Sequence, residues 1–124
     1  MAEVLGRVGQ NAAIEEAIAR SERTEEHWAM AELVRVKGEL LLLQGAPGAA
    51  AAAEDHFRQA LDWARRQGAL SWELRAATSL ARLLRDRDLV GEARDLLAPI
   101  YQRFTEGFGT ADLQAAKRLL AELE

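Results

Sequence analysis

Apolar residues recur at spacings of three and four along nearly the whole chain, which is the period of an amphipathic α-helix. Glycines and helix-capping residues interrupt this pattern about every twenty residues, the rhythm of helical hairpins. The predicted helices are a stub at 2–8 and longer segments at 11–23, 25–44, 49–67, 71–86, 89–106 and from 111 onward. The sequence therefore predicts an all-α protein of antiparallel helical hairpins.

The ends of these helices carry recognisable residues. Gly45 and Gly68 are expected to end the helices before them, because glycine is favoured just after a helix. Pro99 lies inside 89–106 and is expected to bend that helix by removing one backbone hydrogen bond. Four polar residues are predicted N-caps: Thr24, Ser71, Asp88 and Thr110.

Two stretches of the chain align with each other at an offset of about forty residues. Their matching positions are Gly38, Leu41, Ala53, Phe57 and Ala60 in the first, and Ala81, Leu84, Ala93, Leu97 and Ile100 in the second. Two helices approach closely only where a small side chain faces a large one. We therefore expect these positions to form the contacts within and between hairpins.

These spacings resemble those of a tetratricopeptide repeat. The resemblance implies one domain over 1–124, stacked as a right-handed superhelix of about two and a half repeats with a C-terminal capping helix. Its parts are a degenerate repeat (1–23), two repeats (25–67 and 71–106) and the cap (110–124).

A closer resemblance covers nearly the whole chain. The runs at 31–42, 57–61, 71–83 and 96–108 are similar to the extreme C-terminal region of bacterial class III adenylate or guanylate cyclase–ATPase signalling proteins. The part from 71 to 120 is the most specific. The cyclase and ATPase modules have no counterpart here, so their activities do not carry over.

Composition and charge narrow the possible partners. Ala, Leu, Glu and Arg dominate, and all favour helices. The net charge of −4 gives no long-range attraction for nucleic acid. The chain has no cysteine, which favours a cytoplasmic location, and no run of about twenty apolar residues that would span a membrane.

Candidate chemistry is sparse. No glycine turn is followed by the Lys and Ser or Thr of a phosphate-binding loop, and no convergent acid, base and nucleophile set is present. His27 and His56 lie among acids but lack a partner at metal-ligand spacing. Inter-helix packing is the favoured role of Trp28, Trp63 and Trp72. We expect no enzyme activity, cofactor or metal.

The candidate functional surface is a groove. In tetratricopeptide arrays the first helix of each hairpin lines the concave face, and arginine there suits the carboxylates of a bound peptide or helix. The predicted groove residues are Glu32, Arg35, Glu39, Arg75, Ser79, Arg82 and Arg85. An ordinary solvated surface is the competing interpretation. We predict that glutamate at both Arg75 and Arg82 abolishes partner capture.

A second surface is expected at the N-terminal end of the array. Leu40, Leu42 and Leu43 belong to a run of four leucines that points to every side of its helix. A single neighbouring helix cannot cover all of them. We therefore expect a symmetric homodimer through helices 11–23 and 25–44.

The leading hypothesis is thus a protein–protein interaction module of the tetratricopeptide kind. The alternative is a regulatory C-terminal segment of a cyclase- or ATPase-type signalling protein.

Overall fold

The computed structural model describes residues 12–19 and 29–124, and every regular element in these ranges is a helix. Residues 12–19 are helical and are labelled α1. The others are α2 (Met30–Gln44), α3 (Ala49–Gln67), α4 (Leu70–Asp86), α5 (Val90–Gln102) and α6 (Ala111–Glu122). The all-α prediction is confirmed. The predicted stub at 2–8 and the Thr24 cap lie outside the described residues.

The predicted bounds are accurate for α3 and too long for α5. The segment at 49–67 coincides with α3, whereas α5 ends at Gln102 and not at 106. Beyond Gln102 the backbone tightens, because the N–H groups of Arg103 and Phe104 bond three residues back to Ile100 and Tyr101. Phe104 packs against the core although it lies beyond the end of α5. Its apolar side chain continued the helical spacing in the sequence, and the predicted helix was therefore too long.

A residue in the left-handed conformation lies at the end of each of α2, α3 and α4. Gly45 (φ 64°) and Gly68 (φ 64°) follow α2 and α3 directly, whereas Asp88 (φ 61°) comes after Arg87, the C-cap of α4. Both glycine predictions are confirmed. The prediction that Asp88 caps α5 is wrong, because Leu89 occupies the N-cap and no side chain caps there. Asp88 instead ends α4, a conformation that a short polar side chain tolerates.

The other two predicted caps gave different outcomes. Ser71 is not a cap, since α4 already begins at Leu70 and Ala69 holds the N-cap position without a side-chain bond. The two-residue connection after α3 leaves no room for a later start. Thr110 is confirmed as the N-cap of α6, where its side-chain oxygen accepts from the backbone N–H of Leu113 at 3.5 Å.

Consecutive helices run antiparallel. Glu73, at the start of α4, is 3.3 Å from Arg65 at the end of α3 and 3.0 Å from Arg103 just after α5. At the opposite end, Arg87 follows α4 and lies 2.6 Å from Glu54 near the start of α3. The start of α4 therefore meets the ends of both neighbours.

Alternate helices run parallel, side by side. Arg75 of α4 contacts Glu32 of α2 and Asp112 of α6, which are separated from it by 43 and 37 residues. Further along, Arg85 contacts Glu122, again 37 residues away. The constant offset shows that α4 and α6 keep their alignment along their lengths.

The repeat positions predicted from the sequence form the core. All ten are buried except Leu41, which is half-buried. Gly38 and Phe57 illustrate the pairing of small with large, because a Cβ placed on Gly38 would lie 2.6 Å from Phe57 Cε1. The close approach of α2 and α3 therefore requires glycine at this position.

One charged residue occupies a core position. Lys37 precedes Gly38 as Leu80 precedes Ala81 in the second copy of the repeat, and only 7% of Lys37 is exposed. Its Nζ lies 2.7 Å from Glu15 Oε1 on α1.

Across the described ranges, no helix has the length and apolar character needed to cross a membrane.

Candidate protein-binding groove

Two clefts run between α4 and α6. The first has a volume of about 280 Å³, and seven residues line it: Arg35, Arg75, Thr78, Ser79, Arg82, Asp112 and Ala115. The second has a volume of about 180 Å³ and is lined by Arg82, Arg85, Ala115, Arg118, Leu119 and Glu122. Because Arg82 and Ala115 belong to both, the clefts form one continuous surface, here called the α4–α6 groove.

An ion-pair network fixes the side of the groove nearest α2. Glu32 accepts two hydrogen bonds from Arg35, at 2.9 Å from Nε and 2.7 Å from Nη2, a bidentate pair. Arg75 donates to Glu32 at 3.0 Å and to Asp112 at 2.8 Å. A single guanidinium therefore links the three parallel helices α2, α4 and α6.

Two further contacts extend this network. Arg35 lies 3.9 Å from Glu39 and donates to Ser79 Oγ at 3.3 Å. Arg85, at the other end of the groove, pairs with Glu122 on α6 and with its neighbour Asp86. Carboxylates therefore hold the guanidinium groups of Arg35, Arg75 and Arg85 in place, at both ends of the groove.

The electrostatics keep these arginines charged. The hydrogen bond to Glu32 raises the pKa of Arg35 above its ordinary value, and that to Asp112 does the same for Arg75. Burial lowers the pKa of Arg85, but the hydrogen bonds to Glu122 and Asp86 outweigh it and the net shift is upward. The ion pairs of the network therefore favour the charged form of all three guanidinium groups.

Two arginines of the groove stand apart from the network. Arg82 on α4 and Arg118 on α6 are both exposed and line the second cleft. Among residues 12–19 and 29–124, neither side chain makes a hydrogen bond or an ion pair. Their side-chain donors therefore face the groove without an acceptor in the part of the chain that the structure describes.

The structure brings the seven predicted groove residues into one region. Arg35, Arg75, Ser79 and Arg82 line the first cleft and Arg85 the second, while the two glutamates contact these arginines from α2. Their assignment to partner binding stays a prediction. Arg75 is already committed to two internal ion pairs, so its replacement by glutamate would disturb the fold as well as the surface.

The sequence prediction missed the contribution of α6. Asp112, Ala115, Arg118 and Glu122 form one wall of the groove, whereas α6 was expected to act only as a cap. A signal for this role exists, because the apolar positions of α4 recur on α6 thirty-nine residues later. Ala77 corresponds to Ala116 in this way, and Leu80 to Leu119.

The leucines expected to drive self-association are not equally accessible. Leu40 is buried, with 7% exposure, and Leu42 packs against the core. Leu43 is 58% exposed. Leu40 therefore lies against neighbouring parts of the chain and Leu42 is half-buried, while self-association through this set stays a prediction.

The described histidine and tryptophans, His56, Trp63 and Trp72, line neither cleft of the groove. His56 Nδ1 lies 2.8 Å from the Ala52 carbonyl, one helical turn earlier on α3. Trp63 packs against the core and is covered on one face by the Arg66 guanidinium, 5.3 Å from the ring centroid. Trp72 is half-buried. His27 and Trp28 lie outside the described residues.

Comparisons with protein-family models, with curated proteins and with solved structures found no match to the chain.

Proposed function

We propose that this protein is a non-enzymatic protein-interaction module of the tetratricopeptide kind and that its partner binds in the α4–α6 groove. In this proposal α2–α3 and α4–α5 are two stacked hairpins of a right-handed superhelix, and α6 supplies the last helix of the concave face. The absence of cysteine favours the cytoplasm as the place where it acts.

The observation that carries the proposal is the continuous groove across successive parallel helices. The contact between Glu32 and Arg75 spans 43 residues, and the repeat positions Gly38 and Ala81 are separated by the same number. Agreement between the sequence repeat and the spatial offset supports a stacked array. Tetratricopeptide arrays use this face, formed by the first helix of each hairpin, to bind partners.

The chemistry of the lining suits a polypeptide ligand. Guanidinium groups held by carboxylates lose little conformational freedom on binding, so their remaining donors are preorganised. Ser79 and Thr78 add hydroxyl groups to the wall of the first cleft. Backbone carbonyls and side-chain carboxylates are the acceptors that such donors recognise in a peptide.

The test is to block the groove without changing its charge. Ala115 lies at the junction of the two clefts, so Ala115→Trp would fill both. Ala121 is exposed on the same helix but lines neither cleft, and Ala121→Trp is therefore the matched control. A random peptide library is selected on the immobilised wild-type chain, and one selected peptide is labelled for fluorescence polarisation.

We expect Ala115→Trp to weaken binding of this peptide by at least roughly tenfold, because the bulky ring excludes it from the groove. Ala121→Trp should bind it as the wild type does. Equal affinity of both variants, or no selection of peptides by the wild-type chain, would refute the proposal.

A further inference from the structure

We propose that the partner presents an acidic segment and that Arg82 and Arg118 jointly bind one of its carboxylates. This inference rests on the proposed function, since it specifies which ligand the α4–α6 groove takes. Two observations support it. Arg82 and Arg118 line the same cleft, and the other charged residues that line the groove are already in ion pairs.

The alignment of α4 and α6 places the two arginines next to each other along the groove. Arg85 pairs with Glu122 at an offset of 37 residues, the same offset as between Arg75 and Asp112. Applied to Arg82, this offset leads to the buried Leu119, the residue that follows Arg118. Arg82 and Arg118 therefore lie at nearly the same level of α4 and α6, and both line the second cleft from its two walls.

The remaining charges of the groove are already paired. Arg35, Arg75 and Arg85 each have a carboxylate partner, and those partners, Glu32, Asp112 and Glu122, are occupied in turn. A basic ligand would meet carboxylates whose charge an arginine already balances. An acidic ligand meets two guanidinium groups that have no carboxylate partner among the described residues.

The charge of the whole chain makes this site selective. With a net charge of −4 the protein repels acidic polypeptides at long range, so nonspecific electrostatic attraction is not expected to hold one. Binding then depends on the local donors. The planar fork of arginine matches the two oxygens of a carboxylate, and two arginines can share one carboxylate between them.

The test uses the library selection on three forms of the 124-residue chain. The first is the wild type, and the second carries Arg82→Gln and Arg118→Gln, which keep hydrogen-bonding groups but remove both charges. The control carries Arg58→Gln and Arg66→Gln, two exposed arginines of α3 that line neither cleft of the groove. We expect Asp and Glu to be enriched in peptides selected by the wild type and the control, but not in those selected by the Arg82 and Arg118 variant.

One acidic peptide from the wild-type selection is then synthesised with each of its acidic residues changed in turn to the amide. At one position this change should weaken binding to the wild type by roughly tenfold or more, as expected for a charge-assisted contact, and leave binding to the Arg82 and Arg118 variant nearly unchanged. That coupling would assign the carboxylate to the two arginines.

Selection without acidic enrichment, or an amide change that weakens both proteins equally, would overturn the inference. If the peptides are still lost in Ala115→Trp, the groove remains the binding surface and only its preference for acidic ligands is wrong. If the wild-type chain selects no peptides, the proposed function fails together with the inference.

Discussion

At the scale of single residues, the contact between Gly38 and Phe57 sets how closely α2 and α3 approach. Gly38→Ala would place its Cβ 2.6 Å from Cε1 and 2.9 Å from Cδ1 of Phe57, a ring that is itself fully buried. Alanine gains up to about 1 kcal/mol of helix propensity, but overpacking a core costs about 1–3 kcal/mol. We expect a net loss of about 1 kcal/mol in the free energy of unfolding, measured with urea.

Gly91 provides the matched control for that substitution. It lies in the first turn of α5, and a Cβ built there meets nothing within 4 Å. Gly91→Ala should therefore leave stability unchanged or raise it by up to about 1 kcal/mol. A Gly38→Ala protein at least as stable as Gly91→Ala would show that the Phe57 ring can move aside.

At the scale of elements, an ion pair between Glu15 and Lys37 joins α1 to α2. The hydrogen bond from Lys37 lowers the pKa of the Glu15 carboxyl below its ordinary value of 4.5, and the Lys37 charge acts in the same direction. Burial works against this shift and the His56 charge supports it. A lowered carboxyl pKa means that the folded state favours the charged form.

The sign of the pH effect follows from that direction. The contribution of this pair to docking α1 is complete above the unfolded pKa and is lost as the pH falls through the lowered folded pKa. We expect the carboxyl ¹³C signal of Glu15 to titrate with a midpoint below 4.5, and Lys37→Met to move that midpoint upward. Lys117→Met, which removes an exposed charge on α6, is the control. Equal midpoints in the two variants would contradict the assignment.

The bounds of α3 and the contact positions of the repeat were predictable from the sequence because they depend on local period and on the size of side chains. The bounds of α3 and the burial of Ala53, Phe57 and Ala60 follow from those two properties. The role of Asp88 was not predictable from its residue type, since aspartate is suited both to an N-cap and to a left-handed helix end. The backbone geometry of the turn decides between them.

The ion pairs of the groove were not predictable because they join residues far apart in the sequence. Arg75 and Arg82 have the same side chain on the same helix, yet only Arg75 meets carboxylates from α2 and α6. That difference depends on how the parallel helices are aligned. The pairing of the buried carboxylate of Glu73 with Arg65 and Arg103 was not predicted for the same reason.

At the scale of the whole molecule, self-association is predicted to depend on Leu43. We propose a symmetric homodimer at the N-terminal end of the array, and Leu43 is the member of the predicted leucine set that remains exposed there, at 58%. A stable pair would bury about 800 Å² on each partner. Light scattering after size exclusion at micromolar concentration should give the mass of two chains for the wild type and of one chain for Leu43→Glu.

Leu89→Glu is the control for that experiment. Leu89 is 39% exposed in the turn between α4 and α5, outside the two helices of the predicted interface, so its replacement should leave the dimer intact. A single-chain mass for the wild type would show that the N-terminal end is covered within the chain. A two-chain mass for Leu43→Glu would place the interface elsewhere.

The double pairing of Arg75 has an evolutionary consequence. Because its guanidinium is bound by carboxylates from two different helices, loss of either Glu32 or Asp112 leaves it held by the other. A substitution at Asp112 should then be tolerated, because Glu32 still holds Arg75, whereas a substitution at Glu32 also removes the bidentate partner of Arg35. Either loss would make the remaining carboxylate indispensable to Arg75. Lineages that diverge from this sequence can drift at one anchor or the other, while simultaneous loss of both is selected against.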